Sequence, residues 1–101
     1  MGLPVATVVV AYNSAGELPA TLRSLAEQSA PGDELIVVDN ASADGSAEAA
    51  RQAGAQVLEL GENRGFAAGC HAGARATTAP LLLFAILDAA LEPGCLDALR
   101  A

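Results

Sequence analysis

The feature that most constrains this chain is an unbroken apolar run, Leu35 to Val38, that stops abruptly at Asp39-Asn40. A short run rich in β-branched residues is typical of a strand buried on both faces of a parallel sheet. Turn- and cap-forming residues follow it and lead into an Ala-rich stretch of helical character. The pattern therefore predicts an acid, Asp39, at the carboxyl end of a buried strand, where open α/β sheets bind their ligands.

Length and composition indicate one modest domain that spans residues 1–101. The chain is 52% hydrophobic but only 3% aromatic, so the core must be built from Ala, Val and Leu. The net charge of -7 argues against nucleic acid or an anionic membrane as the main partner. A bound phosphate would therefore need local help from backbone amides, an arginine or a metal ion.

Two cysteines and the apolar runs bear on the location of the protein. Cys70 and Cys95 lie far apart and form no ligand-like pair, so we interpret both as ordinary thiols of a reducing compartment. The N-terminus lacks the basic stretch of a signal peptide, and the longest apolar run, Leu81 to Leu87, is too short to span a bilayer. We expect a soluble, cytoplasmic protein with no transmembrane segment.

Strand-like and helix-like segments alternate along the chain. Strands are predicted at 5–12, 34–38, 56–60 and 81–87, and helices at 15–28, 43–53, 66–76 and 93–100. Ser14 and Glu17 have the spacing of a capping box at the first helix, and Gly54 is the expected end of the second. Gly69 and Gly73 indicate close approach of another backbone or a ligand. The order βαβαβαβα predicts a Rossmann-like three-layer α/β/α fold with a mainly parallel four-stranded sheet, in which the alternating third strand lies at an edge.

Polar residues collect at the carboxyl ends of these predicted strands, which share one edge of a parallel sheet. They are Tyr12, Asn13, Asp39, Asn40, the loop from Gly61 to Gly65, and Asp88. Such a set suits a nucleotide: Tyr12 can flank a base, Asp39 can accept from an imide N–H, and Asp88 can hold Mg²⁺ or Mn²⁺ against a diphosphate. An ordinary structural interpretation stays open for each, with the acids as cap residues and Asn40, Ser42 and Asp44 as turn builders.

Three blocks of sequence carry a resemblance to a known family. They are residues 8–14, Val-Val-Val-Ala-Tyr-Asn-Ser; residues 37–46, Val-Val-Asp-Asn-Ala-Ser-Ala-Asp-Gly-Ser; and residues 62–69, Glu-Asn-Arg-Gly-Phe-Ala-Ala-Gly. In this order and spacing they resemble the inverting family 2 glycosyltransferases with the GT-A fold, and the second block is similar to the rhamnosyltransferase-like branch. The resemblance extends from Val5 to Leu99.

This resemblance implies a nucleotide-diphosphate sugar, a UDP- or dTDP-sugar, as the donor. The residues that it places around the nucleotide are Ala11, Tyr12, Asn13, Asp39, Asn63, Arg64 and Gly65. It implies that the first three line the pocket and that Asp39 binds the uracil or thymine base. It places the loop Asn63–Gly65 near the ribose and diphosphate, and Asp88 in the family's metal motif.

The chain departs from the family pattern at the metal motif and in length. Ile86-Leu87-Asp88 stands where this branch usually has Asn-Pro-Asp, so a divalent metal is expected to bind weakly or not at all. Family members continue well beyond this motif, and their later portion supplies the acceptor site and the general base. We therefore expect the nucleotide-binding half alone, truncated after the metal motif, which binds nucleotide weakly and transfers nothing by itself.

Two other interpretations stay open. One is a non-catalytic interaction or assembly module, which the apolar Ile86 and Leu87 favour. An uncovered edge from Leu81 to Leu87 then predicts a homodimer through that strand. The other is a flavodoxin- or receiver-like domain, but Tyr12-Asn13 lacks the paired acids that a receiver needs near its first strand.

Overall fold

Strands and helices alternate along residues 3–85, which are the residues that the computed structural model describes. The strands are β1 (Val5–Ala11), β2 (Glu34–Asp39), β3 (Gln56–Glu59) and β4 (Leu81–Ala85). The helices are α1 (Leu18–Gln28), α2 (Ser46–Gln52) and α3 (Phe66–Arg75). The predicted three-layer α/β/α architecture is confirmed. The predicted helix at 93–100, the end of the fourth strand, and Asp88 lie outside the described residues.

All pairings in the described sheet are parallel, and the strand order is β3-β2-β1-β4. The two most apolar strands therefore occupy its middle, as expected for strands that are buried on both faces. The register pairs Val8 with Ile36 and Ala11 with Asp39, so β1 and β2 end side by side. The half-exposed β3 lies at an edge, as its alternating pattern predicts.

One face of the sheet is covered by α1 and α2 through large side chains. Leu18, Leu22 and Leu25 recur on one side of α1 and are fully buried in a cluster with Val9 and Val37. This spacing of three and four residues is what places them on the same helical face. Burial of branched apolar side chains is thus the main contact between α1 and the sheet.

The other face is covered by α3, which contacts the sheet through small residues. A Cβ atom added at Gly73 would lie 2.4 Å from Cγ1 of Val8, and one at Gly69 would lie 2.7 Å from Cγ1 of Val10. Both glycines therefore permit close approach of the helix to valine side chains of β1. The prediction of an approaching backbone or ligand was wrong in this respect, because strand side chains fill the space.

The start of α1 differs from the sequence prediction. The helix begins at Leu18, with Glu17 at the N-cap and no side-chain capping bond, so the predicted capping box is not formed. The Ser14 hydroxyl instead donates to the Tyr12 carbonyl at 2.9 Å, within the loop after β1. The Ser14 hydroxyl oxygen also accepts from the Tyr12 N–H at 3.2 Å, so the hydroxyl bonds on the loop side and not to the first turn of the helix. Pro19 lies in the first turn as predicted.

Hydrogen bonds within the preceding loop also shift the start of α2, which begins at Ser46 rather than at residue 43. The Asp44 carboxylate accepts from the Ser46 N–H at 3.1 Å, and Gly45 adopts a left-handed φ of 86°. The residues before Ser46 therefore form a turn that L side chains in helical geometry could not make. Gly54, with φ of 89°, follows the end of α2 as predicted.

Candidate functional site

The carboxyl edge of the sheet brings together a buried acid and an exposed aromatic ring. Asp39 ends β2 and is only 3% exposed, beside the fully buried Ala11 at the end of β1. Tyr12, the next residue along, is 52% exposed. A carboxylate and an exposed ring at one edge of the sheet suit a flat heterocycle with an N–H at its edge.

The Asp39 carboxylate is held in place by Ser42. The Ser42 hydroxyl donates to Oδ1 and the Ser42 backbone N–H donates to Oδ2 at 3.2 Å. Each carboxylate oxygen can accept more than one hydrogen bond, so both keep acceptor capacity for a further donor. Asp39 thus builds the turn after β2, as its ordinary structural interpretation predicts, without losing its capacity to accept from a ligand.

Ser42 also joins this turn to the loop after β1. The Asn13 backbone N–H donates to the Ser42 hydroxyl oxygen at 2.8 Å. In return the Asn13 side-chain oxygen accepts from the Ala43 N–H, also at 2.8 Å. Asn13 has a left-handed φ of 49°, a conformation that asparagine tolerates better than most residues. A reciprocal pair of hydrogen bonds therefore joins the two loops.

Asp44 and Ser46 extend this network of hydrogen bonds toward the starts of α1 and α2. The buried Ser46 hydroxyl accepts from the Ser14 N–H at 2.8 Å and donates to Asp44. The other Asp44 oxygen accepts from the Ala15 N–H at 3.1 Å. The hydroxyl of Ser46 and the amide of Ala15 together hold the pKa of Asp44 below its usual value of 3.8. The Asp44 carboxylate is thus ionised within this network of hydrogen bonds at neutral pH.

A second connection links the end of β2 to the loop before α3, and Asn40 makes it. Asn40 is 2% exposed, and its backbone N–H donates to the Ala11 carbonyl at 2.8 Å. Its side-chain oxygen accepts from the Arg64 N–H and its side-chain NH₂ donates to the Gly65 carbonyl, both at 3.1 Å. One side chain thereby fixes residues 63–65 against the ends of both central strands.

The loop before α3 has its own internal bond and an exposed ion pair. The Asn63 side-chain oxygen accepts from the Gly65 N–H at 2.9 Å, and Gly65 has a left-handed φ of 89°. The Arg64 guanidinium lies 3.2 Å from the Glu62 carboxylate, and both side chains are largely exposed. Such a surface pair is weak and easily exchanged for another anion.

The structure places all seven sequence-predicted nucleotide contacts at this one edge, in two connected groups. The first group is Ala11, Tyr12, Asn13 and Asp39, and the second is Asn63, Arg64 and Gly65. The predicted metal ligand Asp88 lies outside the described residues. Sequence reasoning gave Asn40 and Ser42 to turn building, and the structure shows that they connect the two groups and fix Asp39. Their position directly after a buried strand was the only available signal.

Residues 3–85 hold no group of three or more His, Cys, Asp or Glu side chains that could bind a metal ion. A divalent cation requires several oxygen ligands. The described side chains at this edge therefore do not fit a metal site by themselves.

Other features of the described residues lie apart from this edge. A shallow groove of about 450 Å³ runs between α1 and α2 and is lined by Pro19, Leu22, Arg23, Ala26, Ala49, Gln52 and Ala53. Its lining offers neither an acid nor a nucleophile. Cys70 is a free thiol on α3, and burial raises its pKa, so it is poorly suited to nucleophilic chemistry. No helix between residues 3 and 85 is both long and apolar enough to cross a bilayer.

Solved structures with a similar fold include a mannosyltransferase and two other proteins that were crystallised with nucleotides. A mannosyltransferase of Pyrobaculum calidifontis, in complex with GDP-mannose and Mn²⁺, is 28% identical over 81% of this chain and 26% of its own, with a TM-score of 0.75. TarS residues 1–349 of S. aureus, in complex with UDP-GlcNAc, is 25% identical over 95% of this chain and 30% of its own, with a TM-score of 0.82. Glucosyl-3-phosphoglycerate synthase of Mycobacterium tuberculosis, with UDP and Mn²⁺, has a TM-score of 0.75 over 84% of this chain and 33% of its own; at 23% identity it shows the fold alone.

Curated relatives and the family model agree with the structural comparison. The uncharacterized glycosyltransferase Rv0539 of Mycobacterium tuberculosis is 33% identical over 99% of this chain, and a protein from Mycobacterium bovis matches equally well. The chain spans 44% of the length of these relatives. The model of glycosyl transferase family 2 matches residues 7–100. The chain therefore belongs to glycosyl transferase family 2.

Proposed function

We propose that this chain is the donor-binding part of a glycosyltransferase whose donor is a UDP- or dTDP-sugar. The observation that carries the proposal is the buried Asp39 carboxylate at the end of β2, held by Ser42 at the edge of the sheet where the exposed Tyr12 follows β1. The family membership and the nucleotide complexes of similar proteins support it. The branch assignment, rhamnosyltransferase-like, rests on the sequence of residues 37–46.

In this proposal each group of residues contacts a different part of the donor. Ala11, Tyr12 and Asn13 line the base pocket, and Asp39 accepts from the imide N–H of uracil or thymine. The loop Asn63–Gly65 approaches the ribose and diphosphate, where the Arg64 guanidinium can exchange Glu62 for a phosphate oxygen. Guanine also presents N–H donors at its edge, and one similar protein holds GDP-mannose, so GDP is the proper competitor to test.

A metal ion enters the proposal only through Asp88. Two of the similar proteins were crystallised with Mn²⁺. Because residues 3–85 lack a complete ligand set, Asp88 would have to supply the carboxylate. Its neighbours Ile86 and Leu87 offer no further side-chain ligand, so we propose weak binding or none.

Glycosyl transfer needs more than a donor pocket. An acceptor hydroxyl must be deprotonated as it attacks the anomeric carbon, and this requires a positioned general base. Relatives have more than twice the length that this chain covers, and we propose that the acceptor site and base belong to a portion beyond this one. The 101 residues by themselves would then bind nucleotide without transferring sugar, in the cytoplasm, where the Cys70 thiol stays reduced.

Calorimetric titration of UDP, dTDP and GDP into the pure chain tests the proposal, with and without Mn²⁺. We expect saturable binding of UDP and dTDP that falls by about tenfold or more in Asp39→Ala, since loss of a charge-assisted hydrogen bond costs about 1.5–3 kcal/mol. Asp39→Asn removes the charge but keeps one of the two acceptors for Ser42, so it disturbs the turn less than Asp39→Ala does. Asp88→Ala tests whether that carboxylate holds the metal.

A matched control for Asp39 is Asp33→Asn. Asp33 accepts from the Val5 N–H at 2.9 Å and the Ala30 N–H at 2.8 Å, at the opposite edge of the sheet. It should affect stability without changing nucleotide affinity. Absence of UDP and dTDP binding up to millimolar concentration in the folded chain would refute the proposal. Sugar transfer by the pure chain would refute only the part of the proposal that calls the isolated chain inactive.

One observation favours a second candidate, a non-catalytic module that assembles through β4. Leu82 and Phe84 are 39% and 42% exposed on this outer strand of the described sheet. They pair in register with Ala6 and Val8, so they lie on the face that α3 covers elsewhere. Exposed apolar side chains on an outer strand favour pairing with a second copy.

The homodimer is tested by sedimentation of the chain across a wide concentration range. We expect a dimer that Leu82→Lys or Phe84→Lys converts to a monomer with an unchanged circular dichroism spectrum. Leu3→Lys is the control, because Leu3 is 54% exposed and lies outside β4. A monodisperse monomer at high concentration would rule this module out.

A further inference from the structure

Among the described residues, Asn40 is the one whose own hydrogen bonds reach both groups of the candidate site. Its backbone amide is bonded to Ala11, and its side chain is bonded to Arg64 and Gly65, 24 and 25 residues further along the chain. Asn40 itself is 2% exposed, whereas its partners Arg64 and Gly65 lie in an exposed loop. No other bond among those of the described loops joins residues 63–65 to β2.

The chemistry of the amide explains why asparagine suits this position. Its side chain must accept from the Arg64 N–H and donate to the Gly65 carbonyl at the same time. An aspartate would present two acceptors and lose the bond to Gly65, while an alanine would remove both bonds to the loop. Both bonds hold main-chain atoms, so Asn40 sets where the loop lies and not merely where one side chain points.

The turn that follows separates the work of Asn40 from that of Ser42. Ala41 has a left-handed φ of 63°, which is costly for a residue with a Cβ atom. On one side of this turn Asn40 bonds to residues 64 and 65, and on the other Ser42 bonds to Asp39 and Asn13. Neighbouring polar residues thus fix two different halves of the site.

We infer that Asn40 is a positioning residue that aligns the Asn63–Gly65 loop with the diphosphate, while Ser42 aligns Asp39 with the base. This inference rests on the proposed function, since it assumes a nucleotide at this edge. Asn40 then contributes to the additional affinity that a nucleoside diphosphate gains from its diphosphate. Ser42 supports the part that the nucleoside has by itself.

The measurement that tests this is NMR titration of the full chain with uridine and with UDP, in the presence of Mg²⁺. In Asn40→Asp and Asn40→Ala, we expect the affinity advantage of UDP over uridine to shrink by about tenfold, with uridine affinity within about twofold of wild type. In Ser42→Ala, we expect the affinities for UDP and uridine to fall by a similar factor, with their ratio unchanged. Ser42→Thr keeps the hydroxyl and should restore both.

Asp33→Asn again serves as the control, because it loosens loops at the opposite edge of the sheet. A general loss of structure would lower the affinities for UDP and uridine in all variants. Loss of loop positioning would change the ratio of UDP affinity to uridine affinity, and only in the Asn40 variants. An unchanged UDP-to-uridine ratio in a folded Asn40 variant would overturn the inference. Failure of the wild-type chain to bind either compound would instead refute the proposed function.

A wild-type measurement decides the question if the Asn40 variants do not fold. We expect UDP, and not uridine, to shift the amide resonances of Arg64 and Gly65 and to slow hydrogen exchange of the Asn40 side-chain NH₂ group. Uridine should shift the resonances of Ser42 and Asn13 as strongly as UDP does. Equal responses of Arg64, Gly65 and Asn40 to both compounds would overturn the inference.

Discussion

The two helical layers reach the same sheet by opposite means. On one face, α1 inserts three fully buried leucines, Leu18, Leu22 and Leu25. On the other, α3 presents Gly69 and Gly73, where even a methyl group would overlap valine side chains of β1. The first layer is held by the apolar area that it buries, and the second by how closely its backbone can approach.

This difference affects the candidate site. A helix that packs on large side chains can shift by small rotations of those side chains, whereas a glycine contact leaves little room for adjustment. The start of α3 is therefore fixed in position with respect to β1, and with it the loop that carries Arg64. The packing of small residues and the hydrogen bonds of Asn40 therefore act on the same end of this loop, where Arg64 and Gly65 adjoin α3.

The largest effect is expected from Leu22→Ala, which tests the face held by buried area. Loss of a fully buried leucine should lower the free energy of unfolding by about 2–5 kcal/mol, because it removes apolar contacts and leaves a cavity. Urea denaturation followed by circular dichroism measures it. Leu3→Ala, at an exposed position, should change it by less than about 0.5 kcal/mol. Equal effects of the two variants would contradict the burial argument.

Gly73→Ala tests the face held by close approach, and its effect should be smaller. The added Cβ would lie 2.4 Å from Val8 Cγ1 and 3.3 Å from Val38 Cγ2. Overpacking of about 1–3 kcal/mol is offset in part by the gain of up to about 1 kcal/mol in helix propensity. We expect net destabilisation in urea denaturation, with α3 shifted away from the sheet.

Two further variants sharpen the test of Gly73. Val8→Ala makes room for the new methyl group, so the double variant should show a favourable coupling of about 1 kcal/mol or more in a double-mutant cycle. Gly16→Ala is the control, because a Cβ atom added there would meet nothing within 4 Å beyond its own chain neighbours. Destabilisation by Gly73→Ala that Val8→Ala does not relieve would show that steric overlap is not the cause.

The smallest effect is expected from Asp44→Asn, which compares how each layer is tied to the carboxyl edge. The loops that start α1 and α2 share the ionised Asp44, whereas the loop that starts α3 is held by the neutral Asn40. The folded-state pKa of Asp44 is lowered, so its contribution is present above the unfolded value near 3.8 and is lost as pH falls through the folded value. Asp44→Asn should therefore flatten the loss of stability below about pH 4.

Urea denaturation at a series of pH values measures this slope for wild type and variant. Hydrogen exchange on the folded chain separates the layers: amides of residues 13–15 should lose protection in acid before those of residues 64 and 65. Identical pH slopes for the two proteins would mean that Asp44 is not linked to folding in this way.

Much of the fold follows from local patterns that the sequence displays. Each strand and helix among the described residues was predicted within a few residues of its observed bounds, because apolar periodicity and turn residues act over short distances. The errors lie at helix starts. Ser14 has the sequence pattern of a cap, but it bonds within its loop and to Ser46, which is 32 residues away.

The candidate site was predictable in place and only in part in detail. Asp39 and Tyr12 could be assigned to the carboxyl edge because parallel strands end at the same side of a sheet. That Asn40 contacts Gly65 could not be predicted, because they are 25 residues apart and α2 and β3 lie between them. Buried hydrogen-bond partners of this kind depend on strand order and register, which local propensity does not specify.

The sequence by itself determined the alternation of strands and helices, the burial of the two central strands, and the presence of an acid where the second of them ends. Only the tertiary structure decided which polar residue bonds to which, and hence that Asn40 and Ser42 fix the two halves of the site. The physical reason is that apolar periodicity is a local property of the chain. The partner of a buried polar group is chosen instead among atoms that folding brings together from distant segments.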